Sequence, residues 1–365
     1  MLDEPGASVS TPLQRRLREA IAEAGGWLPF DRFMALALYA PGLGYYARGH
    51  LPFGALPSSG SDFVTAPELS PFFGRALARQ VAQWLDAAGA DTVVEFGAGS
   101  GALAAQLLAS LGERVRRYAI VDVSGTLRAR QRERLAPWGA RVEWLDALPA
   151  TLHGVVVGNE VLDAMPVQLL HWDGTRWSER GVVAAADGFA WADRPTALRP
   201  PVDAPFVPGT VTELHAQAEA FVATVAERLE RGAAIFVDYG FPAAEYYHPQ
   251  RVGGTLMCHR AHRADADPLA DVGAKDITAH VDFTGVALAA QEAGADVLGY
   301  TTQAHFLLDC GLLEMLEAAS QRERADAHKL IAEHEMGELF KVLAFGRGVG
   351  VDPLGFAHGD RTHRL

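Results

Sequence analysis

Residues 95–101 read EFGAGSG, directly after Thr92-Val93-Val94 and directly before the apolar stretch ALAAQLLASL. A short β-like run, a loop with glycine at every second position and a helix-forming run make a strand–loop–helix unit. One glycine suffices for a tight turn. Three, at 97, 99 and 101, mark a backbone that a ligand must approach closely, with N–H groups and a helix N-terminus turned toward it. Such a unit predicts an open α/β sheet with this loop at the carboxyl end of a strand.

The chain around it keeps the same alternation. RYAIVDV, RVEWLD, GVVVGNE, AAIFVDYG, ADVLGYTT and LFKVLAFGRG read as strands, and GTLRARQRERLA, TELHAQAEAFVATVAERLERG and HVDFTGVALAAQEAG as helices, which predicts βαβ units and a parallel, Rossmann-like sheet. Ahead of the loop, LQRRLREAIAEA, DRFMALALY and a run ending at Gly89 have helical spacing, so 1–88 is expected as an N-terminal helical segment. The sheet domain is expected over 89–347 with two insertions. At about 168–210 a turn at Asp173-Gly174 predicts a small antiparallel cap, and at about 240–279 a long irregular stretch offers Gly253-Gly254 as a lid hinge. The polar tail 348–365 is expected to be flexible.

Composition removes several function classes. Lys and Arg total 32 against 45 Asp and Glu, a net charge of −13, which argues against nucleic acid as a partner. The opening MLDEPGASVS has no basic region followed by an apolar one, and no apolar run is long enough for a membrane span; a cytoplasmic protein is expected. Cys258 and Cys310 have no CxxC partner, and CHRAH at 258–262 is the nearest approach to a ligand cluster, so neither a disulfide framework nor a metal site is expected.

Two nucleotide-like ligands compete for the glycine loop. As G-x-G-x-x-A, Gly97, Gly99 and Ala102 fit the dinucleotide fingerprint, with Asp122 downstream for a ribose, as in an NAD-dependent oxidoreductase. As E-x-G-x-G-x-G, Glu95, Gly97, Gly99 and Gly101 fit the S-adenosylmethionine loop of class I methyltransferases. Glu95 favours the second reading, because a carboxylate at the strand end opposes a pyrophosphate and suits a cationic amino-acid and sulfonium ligand. Asp122, ending the second strand, can accept both ribose hydroxyl protons. Asp146, closing the third strand, occupies the analogous adenine-side position, with a helix-cap role as the alternative.

Past the fourth strand, GNEVLDAMPVQ places Asn159, Glu160 and Asp163 at the edge where open α/β sheets bind ligands. An ordinary capped helix start is the competing reading. With LYAPGLGYYARG, SDFVTAPELSPFFG, EFGAGSGALA, GNEVLDAMPV, FVDYG, AKDITAHVDF and MGELFKVLAF in order along nearly the whole chain, the sequence resembles the MidA family, whose mitochondrial members are complex I assembly-factor arginine methyltransferases.

The resemblance implies a class I methyltransferase fold, S-adenosylmethionine as cofactor, and a protein partner such as a respiratory complex I subunit as methyl acceptor. It also implies that Asp62, Thr65 and Glu68 belong to a segment folding over donor or acceptor, although by themselves these residues look like turn and cap groups. One departure is visible: the family pattern DLTADVDF stands here as DITAHVDF, with His280. Because a guanidinium stays protonated, carboxylates gripping two of its nitrogens would leave the third better able to attack. Glu160, with Asp163 as helper, fits that task. A small-molecule methyltransferase using the 168–210 cap as a pocket, and a non-catalytic donor-binding assembly factor, remain the alternatives.

Overall fold

The computed structural model describes residues 11–47, 64–260 and 262–365; Asp62 and Ala261 of CHRAH lie outside them. The described residues fall into two units, one drawn from 1–50, 166–214 and 247–279, the other from 51–165, 215–246 and 280–365.

The second unit is built on seven main strands, β1 (Thr92–Phe96), β2 (Arg117–Val121), β3 (Val142–Leu145), β4 (Leu152–Asn159), β5 (Leu229–Phe241), β6 (Asp296–Thr302) and β7 (Phe340–Arg347), in the order β6-β7-β5-β4-β1-β2-β3. β5, β4, β1, β2 and β3 pair in parallel, whereas β7 runs antiparallel to both β5 and β6. The short strand Val281–Asp282 pairs in parallel with the end of β5. The dinucleotide-binding order 3-2-1-4-5-6 has no antiparallel strand wedged between its last two members.

Strands buried on both faces read as continuous apolar runs, and these strands divide their side chains between two cores. Val93, Val155, Val157 and Ile235 join Phe73, Leu77, Val81 and Trp84 of α1 (Pro71–Ala88) and Leu103 and Leu107 of α2 (Ala102–Leu111). On the opposite face, Val94, Val156, Phe236 and Leu343 join Val222 and Val225 of α4 (Ala216–Arg228) and Val286 and Ala290 of α5 (Phe283–Glu292). The remaining crossover helix, α3 (Gly125–Leu135), follows β2.

Two differences from the sequence expectation follow from this packing. Residues 71–88 form a helix of the sheet unit, because the apolar face of α1 supplies one of its cores. The tail after Gly348 is packed: Phe356 is buried against Phe306, the Gly355 N–H donates to Gln80 Oε1 at 2.8 Å, and Arg361 pairs with Glu338 at 2.7 Å.

In the first unit, helices Pro12–Glu23 and Phe30–Tyr39 share a core with an antiparallel sheet. That sheet orders Leu28–Pro29, Trp177–Ala185, Gln168–Trp172 and Val211–Leu214, with Gly188–Pro195 also on Trp177–Ala185. Part of the stretch expected as irregular is a three-stranded antiparallel sheet of Met257–Arg260, Arg263–Asp265 and Asp276–Thr278. Gly254 is pinned rather than hinge-like. The buried Glu213 carboxylate accepts the N–H groups of Thr255 and Leu256 at 2.7 and 3.0 Å, and a Cβ on Gly254 would stand 2.4 Å from it.

Candidate functional site

Parallel pairing aligns the carboxyl ends of β1, β2 and β4, with Phe96 opposite Val121 and Gly158. There the chain leaves β1 through Gly97, Gly99 and Gly101 at φ 60°, 53° and 79°, the left-handed region that side chains with a Cβ rarely adopt. At Gly97 a Cβ would also press on Val161 Cγ2 at 3.1 Å. Gly101 then starts α2 with no side-chain cap, which leaves the first N–H groups of that helix to other partners.

Glu95, 2% exposed, lies just before the loop and accepts a hydrogen bond from the Tyr118 hydroxyl at 2.6 Å. Burial pushes its carboxyl up to about 8, against the opposing pull of the Tyr118 bond and with a further rise from Asp122. A positive charge brought beside so high a carboxyl would favour its ionised form.

Asp122 is likewise buried at the end of β2, and burial raises its carboxyl. Its Oδ1 accepts the Ser124 N–H at 2.9 Å and its Oδ2 accepts from Gln131 Nε2 at 2.7 Å. Asp146 sits differently. Its side chain is 93% exposed and pairs with Arg128 at 2.6 Å, while the same guanidinium donates to the Asp122 and Leu145 carbonyls at 2.7 and 2.6 Å. The geometry makes Asp146 part of a clamp joining the ends of β2 and β3; an adenine-side role gains no buried polar contact from it.

The segment before α1 is fastened to the glycine loop. Glu68 accepts from the Ser100 hydroxyl and from Arg134 Nη1 at 3.0 Å, and the Pro67 carbonyl accepts from Gln106 of α2 at 2.7 Å. Thr65 precedes the short helix Ala66–Leu69, and its side chain makes no cap bond.

Beyond β4, Asn159 Nδ2 donates to Glu160 Oε1 at 2.9 Å. Glu160 has φ 53°, and its N–H is held by the Val237 carbonyl at 2.9 Å. Asp163, 5% exposed, accepts from the Tyr239 hydroxyl, and burial pushes its carboxyl up to about 6. The turn itself is held by Asp238 of β5, whose Oδ2 accepts the N–H groups of Val161, Leu162 and Asp163 at 3.1, 2.9 and 3.2 Å. Burial and then the neighbouring Asp163 and Glu160 raise the Asp238 carboxyl. Among the described residues, Asn159 Oδ1 and Asp163 Oδ1 are buried without a hydrogen-bond partner, an arrangement that calls for an explanation such as a ligand.

Sequence reading missed Gln131, Tyr118, Asp238 and Tyr239 as parts of this region. The last two stand in FVDYG, a motif already visible; the side-chain pairing across 75 and 76 residues to Asp163 was not. His280 packs edge-on to Tyr239, ring centroids 5.1 Å apart.

Comparison with known proteins gives the family. A family model described as S-adenosyl-L-methionine-dependent methyltransferase matches residues 76–301. The Drosophila melanogaster protein arginine methyltransferase NDUFAF7 homolog, mitochondrial, is 28% identical over 387 residues, covering 92% of this chain and 85% of its own. The Homo sapiens protein arginine methyltransferase NDUFAF7, mitochondrial, is 26% identical, covering 94% of this chain and 85% of its own. A crystal structure from Burkholderia thailandensis bound to S-adenosyl-homocysteine shares 52% identity at a TM-score of 0.94, with 100% of each chain covered. The expected class I methyltransferase fold and S-adenosylmethionine cofactor therefore hold, and the chain belongs to this family of S-adenosyl-L-methionine-dependent methyltransferases.

Proposed function

We propose that this methyltransferase acts on an arginine side chain of a protein partner, with Glu160 and Asp163 gripping the guanidinium and Asn159 orienting Glu160. The observation that carries the reading is the turn after β4. A glutamate held at φ 53° beside a buried, raised Asp163 is a costly arrangement, and such strain persists where a function requires it. The names of the relatives, protein arginine methyltransferases, support the same acceptor. The family resemblance makes a respiratory complex I subunit our choice of partner, and the expectation drawn from cysteine usage makes a reducing cytoplasm our choice of compartment.

We assign Glu95, Gly97, Gly99, Gly101 and Asp122 to the donor. S-Adenosylmethionine supplies a sulfonium-bound, electrophilic methyl group. The protein's part is alignment and exclusion of water. Glu95 meets the cationic amino-acid end, Asp122 accepts from the ribose hydroxyls, and Glu68 and Thr65 close the segment above the loop. At the acceptor, Glu160 localises positive charge on the nitrogens it binds, leaving the third nitrogen to attack the methyl carbon as the carbon–sulfur bond breaks. That nitrogen then carries a surplus proton, which the Asp163 carboxylate takes and passes to solvent.

The Glu95 assignment has a pH signature. In the free protein its carboxyl lies near 8; beside a bound cation it is expected lower, so binding below that value releases a proton and affinity rises as pH climbs toward it. Glu95→Gln keeps a partner for Tyr118 and removes the charge. It should weaken S-adenosylhomocysteine by about tenfold at pH 8 and shrink the pH-dependent change. Calorimetry from pH 6 to 8.5 in two buffers of different ionisation enthalpy reads both effects; an unchanged profile in the variant removes Glu95 from the donor site.

The acceptor itself is tested by incubating the protein and labelled donor with cell extract and mapping the label by mass spectrometry. Label on arginine of a protein is the expected outcome. Label on lysine, a carboxylate or a small metabolite overturns the arginine assignment.

A further inference from the structure

Gln131 lies in α3, outside every glycine or acid motif, and is 0% exposed. Its side-chain amide is used on both sides. Nε2 donates to the Gly99 carbonyl at 2.9 Å and to Asp122 Oδ2 at 2.7 Å, while Oε1 accepts from Trp144 Nε1 of β3 at 2.9 Å. The three partners also fix the amide's orientation. An indole N–H can only donate, and a carbonyl and a carboxylate oxygen can only accept, so turning the amide over would break all three bonds. The backbones also lie near each other: a Cβ on Gly101 would be in ordinary van der Waals contact with Gln131 Cα, at 3.5 Å.

Resting on the donor-site reading above, we propose that Gln131 is the positioning residue for ribose recognition. It holds the Asp122 carboxylate and the middle of the glycine loop in one fixed relation, with Trp144 locking it from β3. Asp122 Oδ1 is meanwhile set by the Ser124 N–H. With both oxygens held and the Gly99 N–H bonded to the same carboxylate, its rotation is restricted, and its other lone pairs keep set directions for the 2′- and 3′-hydroxyls. Buried networks of this kind rigidify a site when every member is satisfied. A glutamine suits this place because it offers two donors and an acceptor without adding charge beside Asp122.

Ribose discrimination tests the proposal, since general loss of stability would not alter it. The ratio of the dissociation constants of 2′-deoxy-S-adenosylhomocysteine and S-adenosylhomocysteine is measured by calorimetry for the full chain and for Gln131→Met, which keeps the volume and loses the bonds. The full chain should favour the ribose by about tenfold or more, from a hydrogen bond to a charged group. Gln131→Met should bind S-adenosylhomocysteine more weakly and bring that ratio to about threefold or less as Asp122 rotates. Trp144→Phe, which removes the indole donor together with part of the ring beneath Arg132, should move the ratio the same way by less, and it decides the matter should Gln131→Met not fold. A folded Gln131→Met with the parent ratio overturns the proposal and leaves the donor site intact; an unchanged ratio in Trp144→Phe does so where Gln131→Met is unfolded. A parent protein that does not distinguish the two ligands overturns it together with the Asp122 assignment.

Discussion

Glu160→Gln should leave S-adenosylhomocysteine affinity within about twofold while slowing methyl transfer by about a hundredfold or more, the pattern of an interaction made at the reacting acceptor. Glutamine keeps the size and the oxygen that accepts from Asn159, and removes the charge that would localise the guanidinium's positive charge. Asp163→Asn should slow transfer less. The parent's kcat/KM should rise with pH through about 6, where the Asp163 carboxyl lies, because only its ionised form takes the proton; Asp163→Asn should lose that limb. Glu160→Gly separates function from folding. It relieves a left-handed conformation at φ 53°, so it should stabilise the protein by about 1 kcal/mol in thermal unfolding while abolishing transfer. Single-turnover assays and calorimetry measure both sides, and collapse of donor affinity in Glu160→Gln would move Glu160 to the cofactor.

Gly99→Val should weaken donor binding by at least about a hundredfold, since a β-branched residue at left-handed φ costs about 1–2 kcal/mol and its carbons block backbone contact with the ligand. Gly99 sits at φ 53°, and its carbonyl is the one held by Gln131. Forcing this position toward negative φ therefore displaces the loop and the Asp122 brace together. Calorimetry with S-adenosylhomocysteine reads the loss directly, with circular dichroism to show that the sheet persists. Parent-like affinity in a folded variant would take the glycine loop out of the donor site.

The strands of the sheet were legible in the sequence because their signal is local. TVVEF is β1 residue for residue, and GVVVGNE, AAIFVDYG and LFKVLAFGRG fall within or across β4, β5 and β7. Such runs are apolar on both faces, and the glycines that follow β1 are required by its own backbone angles. The end of α1 at Gly89 was legible for the same reason, a left-handed C-terminal glycine at φ 64°.

Tertiary structure decided what depends on residues far apart in the chain. No period in the sequence announces that β7 inserts antiparallel between β5 and β6, or that Phe356 anchors a polar tail. Asp122 and Asp146 took analogous places, each closing a strand, with a helix-cap role as the alternative for Asp146; one is buried among hydrogen-bond donors and the other is an exposed partner of Arg128. Asp238 could not be read as the staple of the 161–163 turn, because the parallel pairing of β4 and β5 brings it there, nor Gln131 as the brace of Asp122, because that role needs α3 to fold back against the ends of β1 and β2. Local patterning determined that this chain would build a glycine loop at the edge of a sheet. The three-dimensional packing alone determined which buried side chains hold that loop, and the acids beside it, in place.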